Sequence, residues 1–413
     1  MKFTKSIFDK EGNDIEKFNE LDLDERSIVF YSEDILSFVY FEQIIHELTG
    51  NMGQQICYLT SAKNDPILKS ENKNIKSFYI GDSEIVKLKF FLELKVKVLI
   101  MTMPDLGTYH IKRSKVFPVH YVHVFHAMNS THRNYRKGAF DHFDSIFCVG
   151  PHHIEEIKAT EQLYNLKQKN LVKCGYGLLD KLQKNIPDKN QELYTKDGRN
   201  KILIAPSWGK NGLLETKGLE LVKILLDAKY HVTVRPHPMT VRKSPNVIKK
   251  IENKFKNNPN FEIETDVSSF ESPYSSYGLI SDWSGIGFEY AFVCERPVIY
   301  VDVPHKNNNP DYKKIPYDPL ESSIRNLIGS VISPNDLDNI PKIIESTYEN
   351  VDLFKTKVKE IRNETVFNFG QSGIKCAQEI VKILDKEKTW FNHVSAMVFN
   401  NEIVGKQFLE ANF

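Results

Sequence analysis

The chain has 413 residues, 41% hydrophobic and 26% charged, with 55 Lys and Arg against 54 Asp and Glu for a net charge of +1. That length favours two domains, the apolar fraction suffices for two ordinary cores, and the near-zero balance removes any global electrostatic case for nucleic acid. The five cysteines (57, 148, 174, 294 and 376) form no CxxC pair, which excludes a zinc ribbon or disulfide framework and implies a reducing compartment.

The first 20 residues lack the apolar core of a signal peptide, and no run approaches the ~18 apolar residues of a spanning helix. A cytoplasmic protein is expected, with any membrane contact peripheral, on the cytoplasmic face. Short apolar runs then predict strands at 27–31, 55–59, 96–101, 120–125 and 145–149, with helical patterns at 35–48 and 154–166. The mixed segment 84–97 reads as a buried strand–helix element. Alternation of this kind specifies parallel strands covered by helices.

A polar stretch, 186–200, reads as a linker, and the alternation then restarts. Strands are predicted at 201–205, 231–234, 261–264, 278–281 and 298–301, and helices at 213–228, 241–256, 285–294, 335–348 and 374–384. The expected architecture is therefore α/β: two doubly wound Rossmann-like domains, 1–185 and 201–385, facing a central cleft. Residues 386–413 are expected to be a tail packed back on the N-terminal domain.

In such sheets ligands sit beyond the carboxyl ends of the strands. Four marked segments fall there: His126 after HYVHVF, Ser207-Trp208-Gly209 after KILIAP, Arg235 and His237 in VTVRPHP, and the stretch GLISDWSGIGFEYAF at 278–292. In the last of these, a strand opens through Ser281-Asp282 into a turn of small residues, Ser284, Gly285 and Gly287, at a helix start. Free N–H groups and the helix dipole favour an anion there. Ser284 suits a helix cap or a phosphate ligand. Glu289 lies one turn on, within reach of a ribose or base, and Asp282 is placed to orient a donor group or His237.

The two prolines of RPHP restrict the backbone around His237 and deny it helix. Arg235 reads either as a bidentate phosphate ligand or as half of a salt bridge. His126 is a candidate general base, followed by Thr131, His132, Arg133 and Arg136, which are expected to supply acceptor-side donors and cations. His120 and His123 point to opposite faces of one strand and are read as structural. His152 and His153 are adjacent, do not face the same way, and complete no ligand set, so no metal site is expected. There is no GxxxxGK[ST] and no GxGxxG opening the first strand–helix unit, which disfavours a Walker-type nucleotide site and a dinucleotide cofactor.

These pieces together resemble the CDP-glycerol glycerophosphotransferase family, the teichoic-acid primases and polymerases. The similarity runs over about 96–303. Its carriers are FHAMNSTH at 125–132, CGYGLLDKL at 174–182, KILIAPSW at 201–208, RPHP at 235–238 and SDWSGIGFEYAFVCERPVIYVD at 281–302. The resemblance implies a GT-B fold, a nucleotide held mainly by the C-terminal domain, no cofactor, and transfer of a polyol phosphate from a CDP-activated donor to a glycan or lipid-linked acceptor. It places the family's two essential histidines on His126 and His237, and its phosphate-contacting serines on Ser281 and Ser284, with Asp282 beside them. The first motif departs from the family's usual WHG-x-P-x-K: Ala127 replaces the glycine, and the Pro and Lys are absent. The rival readings are a GT-B transferase using a nucleotide sugar and a non-catalytic nucleotide-binding module.

Overall fold

A computed structural model describes residues 8–187 and 193–386. Residues 188–192 of the expected linker and 387–413 of the expected tail lie outside the described residues.

Seven parallel strands build the first lobe: β1 (Ile28–Ser32), β2 (Ile56–Thr60), β3 (Ile75–Tyr79), β4 (Val98–Met101), β5 (His120–Val124), β6 (Ser145–Cys148) and β7 (Asn170–Lys173). Six build the second: β8 (Lys201–Ile204), β9 (His231–Val234), β10 (Phe261–Ile263), β11 (Gly278–Ser281), β12 (Val298–Val301) and β13 (Gly329–Ile332). The orders are β3-β2-β1-β4-β5-β6-β7 and β10-β9-β8-β11-β12-β13. Each sheet runs outward from its first strand and then reverses, which leaves a crevice at the carboxyl ends of β1/β4 and of β8/β11.

The central strands are continuous apolar runs because both faces are covered. Along β1, Ile28 and Phe30 face one helical layer while Val29 and Tyr31 face the other. The core under the second face is common to both lobes. It joins Tyr176 and Leu179 of the first to Tyr274, Phe288 and Tyr290 of the second.

Three expectations change on physical grounds. The helix read at 241–256 is two helices, Pro238–Lys243 and Pro245–Phe255, because Pro245 has no N–H to continue the first and Ser244 leaves helical geometry at φ −131°. Strands β3, β7 and β13 were absent from the sequence reading. They are short outer strands, partly exposed, and lack the apolar runs that mark the centre. The boundary at 385 also moves. Helical residues 372–386 place Cys376, Ala377, Ile380, Ile383 and Leu384 in the core of the first lobe, beside Phe30 and Tyr58. Buried Asp180 anchors this return by accepting the N–H groups of Gly370 (2.7 Å) and Ser372 (2.6 Å).

The lobes are tied at a second place. Glu321, buried in the second lobe, accepts hydrogen bonds from Ser130 N (2.9 Å), Ser130 Oγ (2.8 Å) and Asn134 Nδ2 (2.7 Å) of the first. Replacing it by alanine leaves buried donors without an acceptor. Glu321→Ala is expected to lower the unfolding free energy by about 2–4 kcal/mol in urea titrations. A loss below about 1 kcal/mol would show that water replaces the carboxylate without strain.

Candidate active site

The four strand-end segments line one interlobe cleft of about 370 Å³. Of the residues singled out from sequence, His126, Ser207, Arg235, His237, Ser284, Gly285 and Glu289 reach its wall. Tyr40, Asn129, Asn134, Tyr135, Trp208 and Trp283 complete much of it.

His126 ends the segment after β5 and is open to water in the cleft. Tyr40 and Tyr135 stand edge-on to its ring, at 6.1 and 6.0 Å. Both lobes wall it in, and this desolvation lowers its pKa from 6.5, against the Thr102 backbone and the charge of Asp34. Its loop is held from below by histidines. His152 Nε2 lies 2.8 Å from Met128 O, and His153 Nε2 lies 3.0 Å from Asn129 O. His153 Nδ1 accepts from Val149 N at 3.3 Å, so its proton sits on Nε2 and is donated to the loop.

His237 caps the Pro238–Lys243 helix: its Nδ1 accepts from Met239 N at 3.0 Å. A ring whose Nδ1 is an acceptor carries its proton on Nε2. His237 therefore offers a hydrogen-bond donor rather than a base. Burial, then the charges of Lys306 and His126, push its pKa down to about 4, so it is neutral at physiological pH.

The turn after β11 has free donors. Among the described residues, the N–H groups of Ser284, Gly285 and Ile286 have no hydrogen-bond acceptor, and Ser284 and Gly285 line the cleft. Glu289, from the helix that follows, meets the hydroxyl of Tyr176 at 3.3 Å, and that hydroxyl also donates to His126 O at 3.0 Å. One tyrosine thus links the His126 loop to the second lobe. Desolvation pushes the pKa of Glu289 up to about 7, with Tyr176 and Arg235 opposing the rise.

Several expected site residues have other work. Arg235 lines the cleft, but both terminal nitrogens are engaged, by Glu264, Ser272 and the carbonyls of Val267 and Ser269. It braces the loop over the cleft instead of offering an open fork to phosphate. Ser281 is fully buried and donates to Ala205 O at 2.8 Å. Asp282, also buried, accepts from Ser207 N (2.6 Å), Trp283 N (2.5 Å) and Leu213 N (3.3 Å). It joins the loops after β8 and β11. Gly287 is needed for packing, since a Cβ there would lie 2.6 Å from the Tyr300 hydroxyl.

The residues expected on the acceptor side are also engaged elsewhere. Thr131 donates to buried Glu156 through N and Oγ1, and His132 Nδ1 lies 3.3 Å from that carboxylate. Arg133 donates to Asn307 and Ser322 across the lobe seam, at 2.7 Å each. Arg136 is exposed over the Tyr109 ring at 5.0 Å. None of the four lines the cleft. The sequence reading missed Asn129 and Asn134, which sit in the His126 loop among flashier charges, and Tyr40, whose helix carries no local sign of a site.

Residues 125–339, over half the chain, match the family model for CDP-glycerol:poly(glycerophosphate) glycerophosphotransferases. The chain belongs to that family. No curated protein sequence matches the chain significantly. Among solved structures, the wall teichoic acid polymerase TagF, as a histidine-to-asparagine variant soaked with CDPG, is 13% identical over 92% of this chain and 95% of its own, with a TM-score of 0.55. The Methanocaldococcus jannaschii UDP-GlcNAc 2-epimerase in complex with UDP-GlcNAc and UDP is 15% identical over 87% and 99%, with a TM-score of 0.54. A putative UDP-N-acetylglucosamine 2-epimerase from Listeria monocytogenes is 12% identical over 84% and 94%, with a TM-score of 0.55. These likenesses span both lobes and establish the GT-B architecture expected from sequence. A glycerophosphotransferase of this family transfers glycerol phosphate from CDP-glycerol.

Glu289 gives the site a measurable signature. Unfolded, it ionises near 4.5; folded, near 7. Between these values the native state keeps a proton that the unfolded state loses, so stability falls as pH rises through the window. Glu289→Gln is expected to raise the thermal midpoint at about pH 8 by a few degrees and to leave it nearly unchanged at about pH 4. Equal shifts at both pH values would refute the assignment.

Proposed function

We propose that this glycerophosphotransferase acts in the cleft between its lobes, with the first lobe (8–185 and the returning 372–386) meeting the reacting hydroxyl of the acceptor and the second holding the donor. CDP-glycerol is the donor, and the acceptor is a hydroxyl of a poly(glycerophosphate) or other cell-surface glycan, free or lipid-linked. The observation that carries this reading is the pairing of one water-accessible, neutral histidine with one histidine committed to donating a hydrogen bond, on opposite walls of a cleft with unpaired N–H groups.

In this reading the acceptor oxygen attacks the phosphorus that bears glycerol. A new P–O bond forms, the P–O bond of the anhydride breaks, and CMP leaves with that electron pair. His126 takes the acceptor's proton. His237 Nε2–H and the N–H groups of Ser284, Gly285 and Ile286 donate to phosphoryl oxygens, where charge accumulates. Glu289 and Ser207 face the nucleoside. Arg235, Ser281, Asp282 and Gly287 act indirectly, by fixing the loops that carry these groups.

Among the described residues no group of three or more His, Cys, Asp or Glu is arranged to hold a metal ion, and the steps above route nothing through one. No helix among them is long and apolar enough to cross a membrane. In this reading a lipid-linked acceptor is met by peripheral contact at the cytoplasmic face. The GT-B frame is shared with UDP-GlcNAc epimerases and does not choose the donor; the family match and the two histidines favour a CDP-polyol over a nucleotide sugar.

His126→Ala and His237→Ala are each expected to lower kcat/KM by about 10²–10⁴ with CDP-glycerol and a glycerophosphate acceptor, followed as CMP release. The wild-type profile should show an acid limb with an apparent pKa below 6.5, absent from the residual activity of His126→Ala. Wild-type turnover by both variants would sink the assignment, as would release of an intact nucleoside diphosphate.

A further inference from the structure

With Arg235 occupied by its own loop, the free positive charge beside the cleft lies elsewhere. Lys306 Nζ sits 3.5 Å from the centroid of the Trp208 ring, and Lys243 Nζ sits 4.9 Å from it. The three residues come from different strand ends: Trp208 follows β8, Lys243 ends the Pro238–Lys243 helix after β9, and Lys306 follows β12. Trp208 lines the cleft, and its ring is 6.2 Å from that of His237.

Both lysines are exposed, and among the described residues neither has a carboxylate or a hydrogen-bond acceptor as partner. Two other cations beside the cleft are engaged: Arg235 by Glu264, and Arg133 by Asn307 and Ser322. Two like charges gathered on one indole repel each other. Each gains only a little from an exposed ring face. The repulsion registers on Lys306, whose pKa is lowered by burial and then by Lys243. An anion between the two ammonium groups turns that repulsion into attraction on both sides.

We propose that Lys243 and Lys306, gathered on Trp208, form an anion subsite at the cleft rim that holds a backbone phosphodiester of the acceptor chain, behind the hydroxyl that reacts. This rests on the donor and acceptor reading given above. The donor phosphates there already have the turn N–H groups and His237, so the lysines are additional to that set. The chemistry of the pair also suits a chain. A lysine is a mobile point charge without the fixed fork of arginine, and it grips one diester as well as the next while a polymer moves past. A poly(glycerophosphate) carries one negative charge per repeat, whereas a neutral glycan would gain nothing at this rim.

The test uses the full chain and the variants Lys243→Gln, Lys306→Gln and the double variant, at about pH 8, where His237 is neutral with or without Lys306. Acceptors are glycerophosphate oligomers of one unit and of several units. The double variant is expected to raise the KM of the long oligomer about tenfold at low salt, with the gap closing as salt is added, and to move the one-unit acceptor and CDP-glycerol by less than about twofold. A rise in the CDP-glycerol KM instead would overturn the proposal and assign the lysines to the donor. Unchanged constants for all three substrates would overturn it too. Calorimetric binding of the long oligomer, read without turnover, separates the two levels of inference. If the wild type binds the oligomer more tightly than the double variant but releases no CMP from CDP-glycerol, the catalytic reading fails and the subsite stands. Equal binding by both removes the subsite whatever the turnover.

Discussion

The buried carboxylate of Glu321 is the constraint on which the site depends. It closes three hydrogen bonds with Ser130 and Asn134 across the lobe boundary, and Arg133, Asn307, Asn308 and Asn309 extend the seam on either side. The residues it grips begin four positions after His126. The loop that presents His126, the proposed base, is thereby anchored in the opposite lobe, next to the loops carrying His237 and Ser284. A GT-B enzyme whose lobes moved freely would have to assemble this geometry in every cycle. Here part of it is already set by a polar lock and a shared apolar core.

Desolvation then assigns roles to chemically identical groups. His126 stays accessible and free to take a proton. His237 has one nitrogen tied to the backbone and so can only give a hydrogen bond. His152 and His153 have no part in the cleft and hold the loop by its carbonyls. Four histidines of one sequence are thus held in three different ways, and the difference lies in what their ring nitrogens face.

Much of the fold was legible because its central strands are apolar on both faces, and a run such as KILI or GLIS has few other uses. The outer strands were not, since IKSFY and NLVK carry the mixed polarity of half-exposed segments. The site was legible as a set of strand ends, with RPHP and SDWSG marked by proline and glycine. What those segments do singly was not. Arg235 looks like a phosphate ligand until Glu264, 29 residues later, occupies it. Ser281 and Asp282 sit three and two positions before the cleft-facing turn, and the pleat of β11 turns the serine inward. Tyr40 and Tyr176 belong to the site through packing of distant segments, which no local pattern encodes.

The return of helical residues 372–386 to the first lobe has a consequence for the order of synthesis. Ile380, Ile383 and Leu384 fill the core beneath β1, yet they leave the ribosome after the whole second lobe. The N-terminal sheet must therefore wait, with part of one apolar face uncovered, while some 180 residues of the other lobe are made, and ordinary N-to-C domain-wise folding cannot finish it. The second lobe, contiguous in sequence, is free to fold first. The half of the enzyme that is translated last is thus the one best able to reach its native state alone, and helical residues 372–386 then complete the first.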